Sequence, residues 1–266
     1  MKLLRTVDEV RAALREPRQR GERIGLVPTM GAFHDGHLAL IRAAREASDV
    51  VVVSLFVNPS QFDATDDLRR YPRDEPSDAR AAEAEGVDVL FAPGVDELYP
   101  PGLDTWVDPG ELGKVLEGAA RPGHFRGVAT VCTKLFSIVQ PNVAWFGQKD
   151  AQQVAVIRHV VDDLDLPLEI DVIATVRDAD GLALSSRNVL LSPNERASAL
   201  ALPRAMKAGR TAHLAGGDAV RAARSVLDGE PGVVVDYVAI AEFGAPTLVA
   251  AIRVGSTRLI DNAVLG

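Results

Sequence analysis

From residue 24 to about residue 175, short apolar runs alternate with stretches whose apolar residues recur at helical spacing, and few folds accept that alternation. Residues 24–28, 50–56, 87–91, 143–146 and 168–173 read as strands, and 37–47, 77–85, 128–139 and 151–164 as the helices between them. The strands are short and mostly apolar. A strand of that kind is buried on both faces, which points to a parallel sheet covered by helical crossovers. Ligands of such sheets bind at the carboxyl ends of the strands, beside a topological switch point.

The pattern changes after Thr175. Ser192-Pro193-Asn194-Glu195 is a capping box with proline at the first helical position, so a helix begins there, bent by Pro203. A second helix is expected over 218–227. Residues 233–240, 247–254 and 257–260 then read as strands on brief loops, hence a small antiparallel sheet. The expected fold class is α/β: a Rossmann-like doubly wound parallel sheet over 1–175, followed by a smaller α+β domain over 176–266.

Composition narrows the function classes. The 266 residues are 47% hydrophobic, enough for a real core, and the formal charge of −8 argues against a nucleic-acid partner. The first residues are charged throughout and lack the apolar core of a signal peptide. The longest apolar run, 50–57, contains Ser54 and is too short to span a bilayer. The lone cysteine, Cys132, excludes an intrachain disulfide and fits a reducing cytoplasm. Its apolar neighbours Val128, Val131, Leu135 and Phe136 mark it as a buried structural thiol.

Four segments could carry chemistry. In the first, the strand 24–28 runs through Thr29-Met30-Gly31-Ala32-Phe33 into His34-Asp35-Gly36-His37 at a helix start. A strand–turn–helix aims backbone N–H groups and the positive helix end at one point, where an anion is welcome, and two histidines stand there. The alternatives are a metal pair, for which His124, His159 and His213 offer no suitable spacing, or two surface histidines. In the second, Asn58-Pro59-Ser60-Gln61-Phe62 leaves the next strand on the same edge. Taken alone it is a polar turn, although the neutral amide of Gln61 can hold a carboxylate without quenching it as arginine would.

In the third, Gly147-Gln148-Lys149-Asp150 repeats the strand–turn–helix geometry. Here Lys149 can meet phosphate charge, Gln153 lies one turn on, and Asp150 serves equally well as an ordinary helix cap. The fourth, Asp178 to Asn188, combines an Asp180-Gly181 turn with Ser185, Ser186 and Arg187, which suit either a polyphosphate clasp or a solvated loop.

In order and together, these segments resemble the pantoate–β-alanine ligase family of coenzyme A biosynthesis. The resemblance extends to Leu116-Glu117-Gly118, to Arg121-Pro122-Gly123-His124-Phe125-Arg126-Gly127-Val128, and more weakly to Val235-Asp236-Tyr237 and Thr257-Arg258-Leu259-Ile260-Asp261-Asn262. His34-Asp35-Gly36-His37 looks like the His-x-Gly-His signature of nucleotidyltransferases, and Leu184 to Arg187 like the counterpart of their mobile Lys-Met-Ser-Lys-Ser loop. Ala151 and Leu184 depart from the usual pattern, where an aromatic residue and a methionine are frequent; neither touches a reacting group.

The resemblance implies ATP-dependent condensation of pantoate with β-alanine through a pantoyl adenylate, releasing pyrophosphate and AMP. It implies an ATP site of Met30, Gly31, Ala32, Phe33, His34, Asp35, Gly36, His37, Gly147, Gln148, Lys149, Asp150, Val176, Leu184, Ser185, Ser186 and Arg187. Within that set His37, His34, Lys149 and Arg187 take the catalytic roles. Gln61 and Gln153 hold pantoate, Gln61 also borders β-alanine, and Asp78 contacts Mg²⁺ or its water shell. Residues 1–175 then bind nucleotide and pantoate while 176–266 act as a lid, in a cytoplasmic homodimer that meets neither nucleic acid nor membrane. Two other classes are open: a nucleotidylyltransferase that keeps its adenylylated product, and a nucleotide-binding module without turnover. Gln61 and Gln153 speak against the first, and the four charged or ionisable donors against the second.

Overall fold

In the computed structural model, which describes residues 1–62, 68–69 and 71–266, the chain divides into two units. One comprises Met1–Gly147 with Val156–Ile173, the other Gln148–Ala155 with Ala174–Gly266.

The first unit is built on six parallel strands: β1 (Lys2–Leu4), β2 (Ile24–Thr29), β3 (Val50–Leu55), β4 (Val89–Phe91), β5 (Val143–Gly147) and β6 (Glu169–Ile173). Their order in the sheet is β1-β4-β3-β2-β5-β6. The chain therefore builds outward from β2 in one direction and returns to lay β5 on its other side. That makes the β2/β5 boundary the switch point. The expected α/β class, with its Rossmann-like parallel sheet, is borne out.

Pairing at this boundary is short. Against β3 the strand is in register from Ile24 to Thr29, whereas against β5 only Gly25 and Leu26 pair. Pro28, which has no N–H to donate, lies beyond the last of these pairs. Beyond Leu26 and Ala144 the carboxyl ends of β2 and β5 share no ladder pairs, and the switch point is where ligands of such sheets bind. Lower down the packing is close: a Cβ on Gly25 would lie 2.6 Å from the Trp145 ring and 2.5 Å from Ser48 Oγ. Val27, Ile41, Val51, Val53, Leu90, Val143 and Trp145 belong to one buried cluster that supports β2 and the 35–47 helix.

Strand β1 and the helix Val7–Gln19 are additions to the expected elements. Their signal is a second capping box, in which Thr6 Oγ1 accepts from Glu9 N and Glu9 Oε2 accepts from Thr6 N.

The second unit carries β7 (Val233–Glu242), β8 (Pro246–Val254) and β9 (Thr257–Val264) as an antiparallel sheet in the order β7-β8-β9. Ser192 and Glu195 form the expected capping box. Pro203 does more than bend the helix that follows: the chain makes two helices, Pro193–Ala199 and Ala201–Leu214, meeting at Leu200. With no N–H at 203, the bond that would join the turns to Ala199 is missing. Leu202, Ala205, Met206, Leu248, Ala250, Ile252 and Leu259 are among the residues of this unit's own core.

Candidate active site

The turn after β2 is held by its own protein. Gly31 (φ +85°) and Ala32 (φ +54°) both take left-handed backbone, unusual for an alanine. That curvature aims two consecutive N–H groups at one carboxylate: Ala32 N donates to Asp78 Oδ2 at 2.9 Å and Phe33 N to Asp78 Oδ1 at 2.8 Å. Asp78 is 4% exposed, and burial pushes its carboxyl above the ordinary value against the lowering effect of these two bonds. A Cβ on Gly31 would fall 2.8 Å from the same carboxylate and 2.6 Å from Leu55.

The expectation that the turn's N–H groups face an anion therefore needs amending: two of them already meet one, supplied by the chain. Each Asp78 oxygen accepts one backbone N–H, so the carboxylate is already engaged in holding the turn. Among the described residues no three His, Cys, Asp or Glu side chains are grouped to hold an ion.

The histidines make the next layer. His34 caps the Asp35–Ala47 helix, its Nδ1 accepting from Gly36 N at 3.2 Å, while His37 Nδ1 accepts from His34 N at 3.4 Å. Histidine thus fills both places of a capping box, the roles usually taken by serine and glutamate. An Nδ1 that accepts leaves the proton of a neutral imidazole on Nε2, so both rings are set as Nε2–H donors. The rings lie 4.2 Å apart centre to centre, close enough to serve one ligand group.

Gln61 is fixed from three sides. It closes a 3₁₀ turn, Pro59–Gln61, capped by Asn58. Asn58 Oδ1 accepts from Ser60 N and Oγ, while its Nδ2 donates to Gln61 Oε1 at 3.0 Å and to Gly127 O at 3.2 Å. The Gln61 carbonyl accepts from His124 Nδ1 at 2.8 Å and from Arg121 at 3.2 Å. With Oε1 occupied, the side chain offers its NH₂, which reaches Met30 Sδ at 3.1 Å. A donor of this kind suits a carboxylate or hydroxyl oxygen. Asn58, Arg121, His124 and Gly127 thus hold Gln61, a role the sequence alone did not assign to them. The signal was there in two glycines and three cationic or imidazole side chains crowded into 121–127.

In the second unit, Gln148–Asp150 form a 3₁₀ turn before the Ala151–Asp163 helix, in which Gln153 is half-buried. Lys149 Nζ stands 3.9 Å from Asp150 Oδ1, a loose pairing. Val176 and Leu184 are joined by a backbone bond, Leu184 N to Val176 O at 3.0 Å, across a hairpin that Arg177 and Ala183 also bridge. Ser185 Oγ accepts from Arg187 N at 3.3 Å, so Ser185, Ser186 and Arg187 enter a short 3₁₀ turn. The structure brings Met30, Ala32, Phe33, His34, His37, Gln61 and Asp78 together within the first unit. It places Gln148, Lys149, Asp150, Gln153, Val176 and 184–187 within the second.

Cys132 is buried, and burial pushes its thiol up to about 12, in keeping with a structural residue. No described helix is long and apolar enough to cross a membrane.

A family model described as pantoate-beta-alanine ligase matches residues 2–264. Over 279 residues the chain is 52% identical to the pantothenate synthetase of Roseiflexus castenholzii and 51% identical to that of Moorella thermoacetica. Each alignment covers all of this chain and 99% of the relative. The solved pantothenate synthetase from Thermus thermophilus superposes with a TM-score of 0.93 at 47% identity, covering 100% of this chain and 99% of that one. The pantoate-beta-alanine ligase from Francisella tularensis, complexed with beta-gamma ATP and beta-alanine, superposes with a TM-score of 0.86 at 34% identity, covering 100% and 98%.

Proposed function

Because the chain belongs to the pantoate–β-alanine ligase family and is an ATP-dependent ligase of these two substrates, we propose that it works in two steps through a pantoyl adenylate. A pantoate carboxylate oxygen attacks the α-phosphorus of ATP, and the bond to the departing pyrophosphate breaks. The β-alanine amine then attacks the acyl carbon, loses a proton, and AMP leaves with the carboxylate oxygen it acquired. Activation is required because an unmodified carboxylate is a poor acylating agent.

The observation that carries this reading is the His34–His37 pair after β2, in which both Nδ1 atoms accept backbone N–H groups, an arrangement that favours donation from Nε2. Fixed donors at that place stabilise charge as it develops on the α-phosphoryl group and its leaving group. His37 is the principal donor and His34 its partner. Met30 to Phe33, Asp35 and Gly36 shape the surrounding turn. Lys149, with Gly147, Gln148 and Asp150, meets the phosphates, Val176 and Leu184 flank the adenine, and Ser185, Ser186 and Arg187 clasp the polyphosphate. Gln61 and Gln153 hold pantoate, and Gln61 also borders β-alanine, the ligand of the Francisella relative. Asp78 would contact the Mg²⁺ that accompanies ATP, or its water shell, and the ion would offset charge on the departing pyrophosphate.

On this reading 1–175 bind nucleotide and pantoate, and 176–266 supply the lid whose closure keeps water from the adenylate. The same family reading makes the protein a cytoplasmic homodimer, which light scattering on the purified chain tests.

The decisive assay for the reaction is exchange of labelled pyrophosphate into ATP. Exchange that requires pantoate, followed by AMP release that requires β-alanine, is expected. Exchange that ignores pantoate would overturn the two-step reading.

A further inference from the structure

Asp261 and Asn262 sit side by side on β9, 2% and 6% exposed, with neither side chain spent on apolar packing. Asn262 Nδ2 donates to two successive carbonyls of the 148–150 turn, Gln148 O at 2.8 Å and Lys149 O at 3.0 Å, while its Oδ1 accepts from Gln148 Nε2 at 3.3 Å. Asp261 faces the other segment. Its Oδ2 accepts from Arg177 at 2.7 Å and its Oδ1 from the second guanidinium nitrogen at 2.9 Å. Arg177 in turn donates to Gly181 O within the hairpin that leads into 184–187. Asp261 Oδ1 also accepts from the backbone N–H of Asn262 at 2.8 Å, which ties the carboxylate to the strand at the residue that holds the 148–150 turn.

We propose that Asp261 and Asn262 are positioning residues of the first step: one strand sets both the Lys149 turn and the Ser185–Arg187 loop, so that the two phosphate-handling segments keep one geometry. The proposal rests on the assignment of Lys149 and Arg187 to ATP given above. The chemistry of each side chain is specific to its task. Only an amide can give two N–H bonds to neighbouring carbonyls while accepting from a third group, and a carboxylate there would face two carbonyl oxygens. Only a carboxylate matches the guanidinium fork at 261.

The test is a double-mutant cycle read by pantoate-dependent ATP–pyrophosphate exchange, with thermal unfolding recorded alongside. Asn262→Asp keeps the shape and is expected to raise KM for ATP at least tenfold. Lys149→Ala is expected to cost at least as much. In the Lys149→Ala background, Asn262→Asp should add less than twofold to KM, while lowering Tm by the same amount in both backgrounds. An equal KM penalty in both backgrounds would make Asn262 a packing residue and overturn the proposal. If Lys149→Ala alone leaves exchange unchanged, the assignment of Lys149 fails first, and a remaining Asn262→Asp effect refutes the route through it. Should Asn262→Asp not fold, Asn262→Ser retains one donor and gives the same comparison. Asp261→Asn against Arg187→Ala tests the other arm, again with coupling expected and additivity refuting.

Discussion

Replacing Asp78 by asparagine separates its two possible tasks. The carboxylate accepts one N–H on each oxygen, at 2.9 and 2.8 Å, and holds a turn in which both Gly31 and Ala32 have positive φ. Asparagine keeps one acceptor and turns an NH₂ toward the other N–H. One charge-assisted bond of about 1.5–3 kcal/mol is lost and a buried donor is left facing a donor; relief of the buried charge offsets part of this, leaving a net cost of about 2 kcal/mol. For a unit of this size that lowers Tm by about 4–8 °C. Because His34 follows directly on Phe33, a displaced turn also moves the imidazoles, and about 1 Å of misplacement costs on the order of 100-fold in the first step.

The assays are thermal unfolding and pantoate-dependent exchange at several Mg²⁺ concentrations. If Asp78 holds the turn, excess Mg²⁺ does not restore exchange; full rescue by Mg²⁺ with an unchanged Tm would refute the structural role. A pH signature accompanies this. The folded carboxyl keeps its proton to higher pH than the unfolded one. Its contribution to stability is therefore full below the unfolded value and is lost as pH rises through the folded value. In Asp78→Asn that slope is absent.

Other variants probe single links. His37→Ala should lose about 10²–10³ in first-step rate while still binding ATP measurably by calorimetry, as expected for loss of one oriented donor; intact turnover would remove its catalytic role. Gly127→Ala would set a Cβ 2.3 Å from Ser60 O and 2.7 Å from Gln61 N, all backbone that cannot swing aside. It should raise KM for pantoate by about tenfold or more with little change for ATP, since Gln61 must shift; an unaltered pantoate KM would uncouple that turn from the acid. Cys132, with its thiol pushed up to about 12, should resist a thiol reagent at pH 8 until the protein is unfolded, and rapid labelling of the native protein would contradict its burial.

The parallel sheet was legible because most of its strands are short apolar runs separated by helical stretches; the edge strand β6, with Glu169 and Asp171 exposed, departs from that pattern. The N-terminal β1 and the Val7–Gln19 helix escaped notice because the three residues of β1 carry little pattern and the helix is rich in charge. The His34–His37 turn could be located from glycines and histidines in order. That its N–H groups would be met by Asp78, 45 residues on from Phe33, could not: no local spacing encodes a contact closed by tertiary folding. Strand β9 was read only to Ile260 because Asp261 and Asn262 break the apolar alternation. They break it in order to bind other segments, so the very residues that blurred the strand are the ones with a task beyond it.

Attack by pantoate on the α-phosphorus of ATP is tested most directly by oxygen tracing, without any mutation. Pantoate labelled with ¹⁸O in both carboxylate oxygens is incubated with ATP, Mg²⁺, β-alanine and the protein, and the products are weighed by mass spectrometry. One ¹⁸O is expected in each AMP, one retained in the amide product and none in pyrophosphate. Unlabelled AMP, or label in inorganic phosphate released alongside ADP, would contradict it.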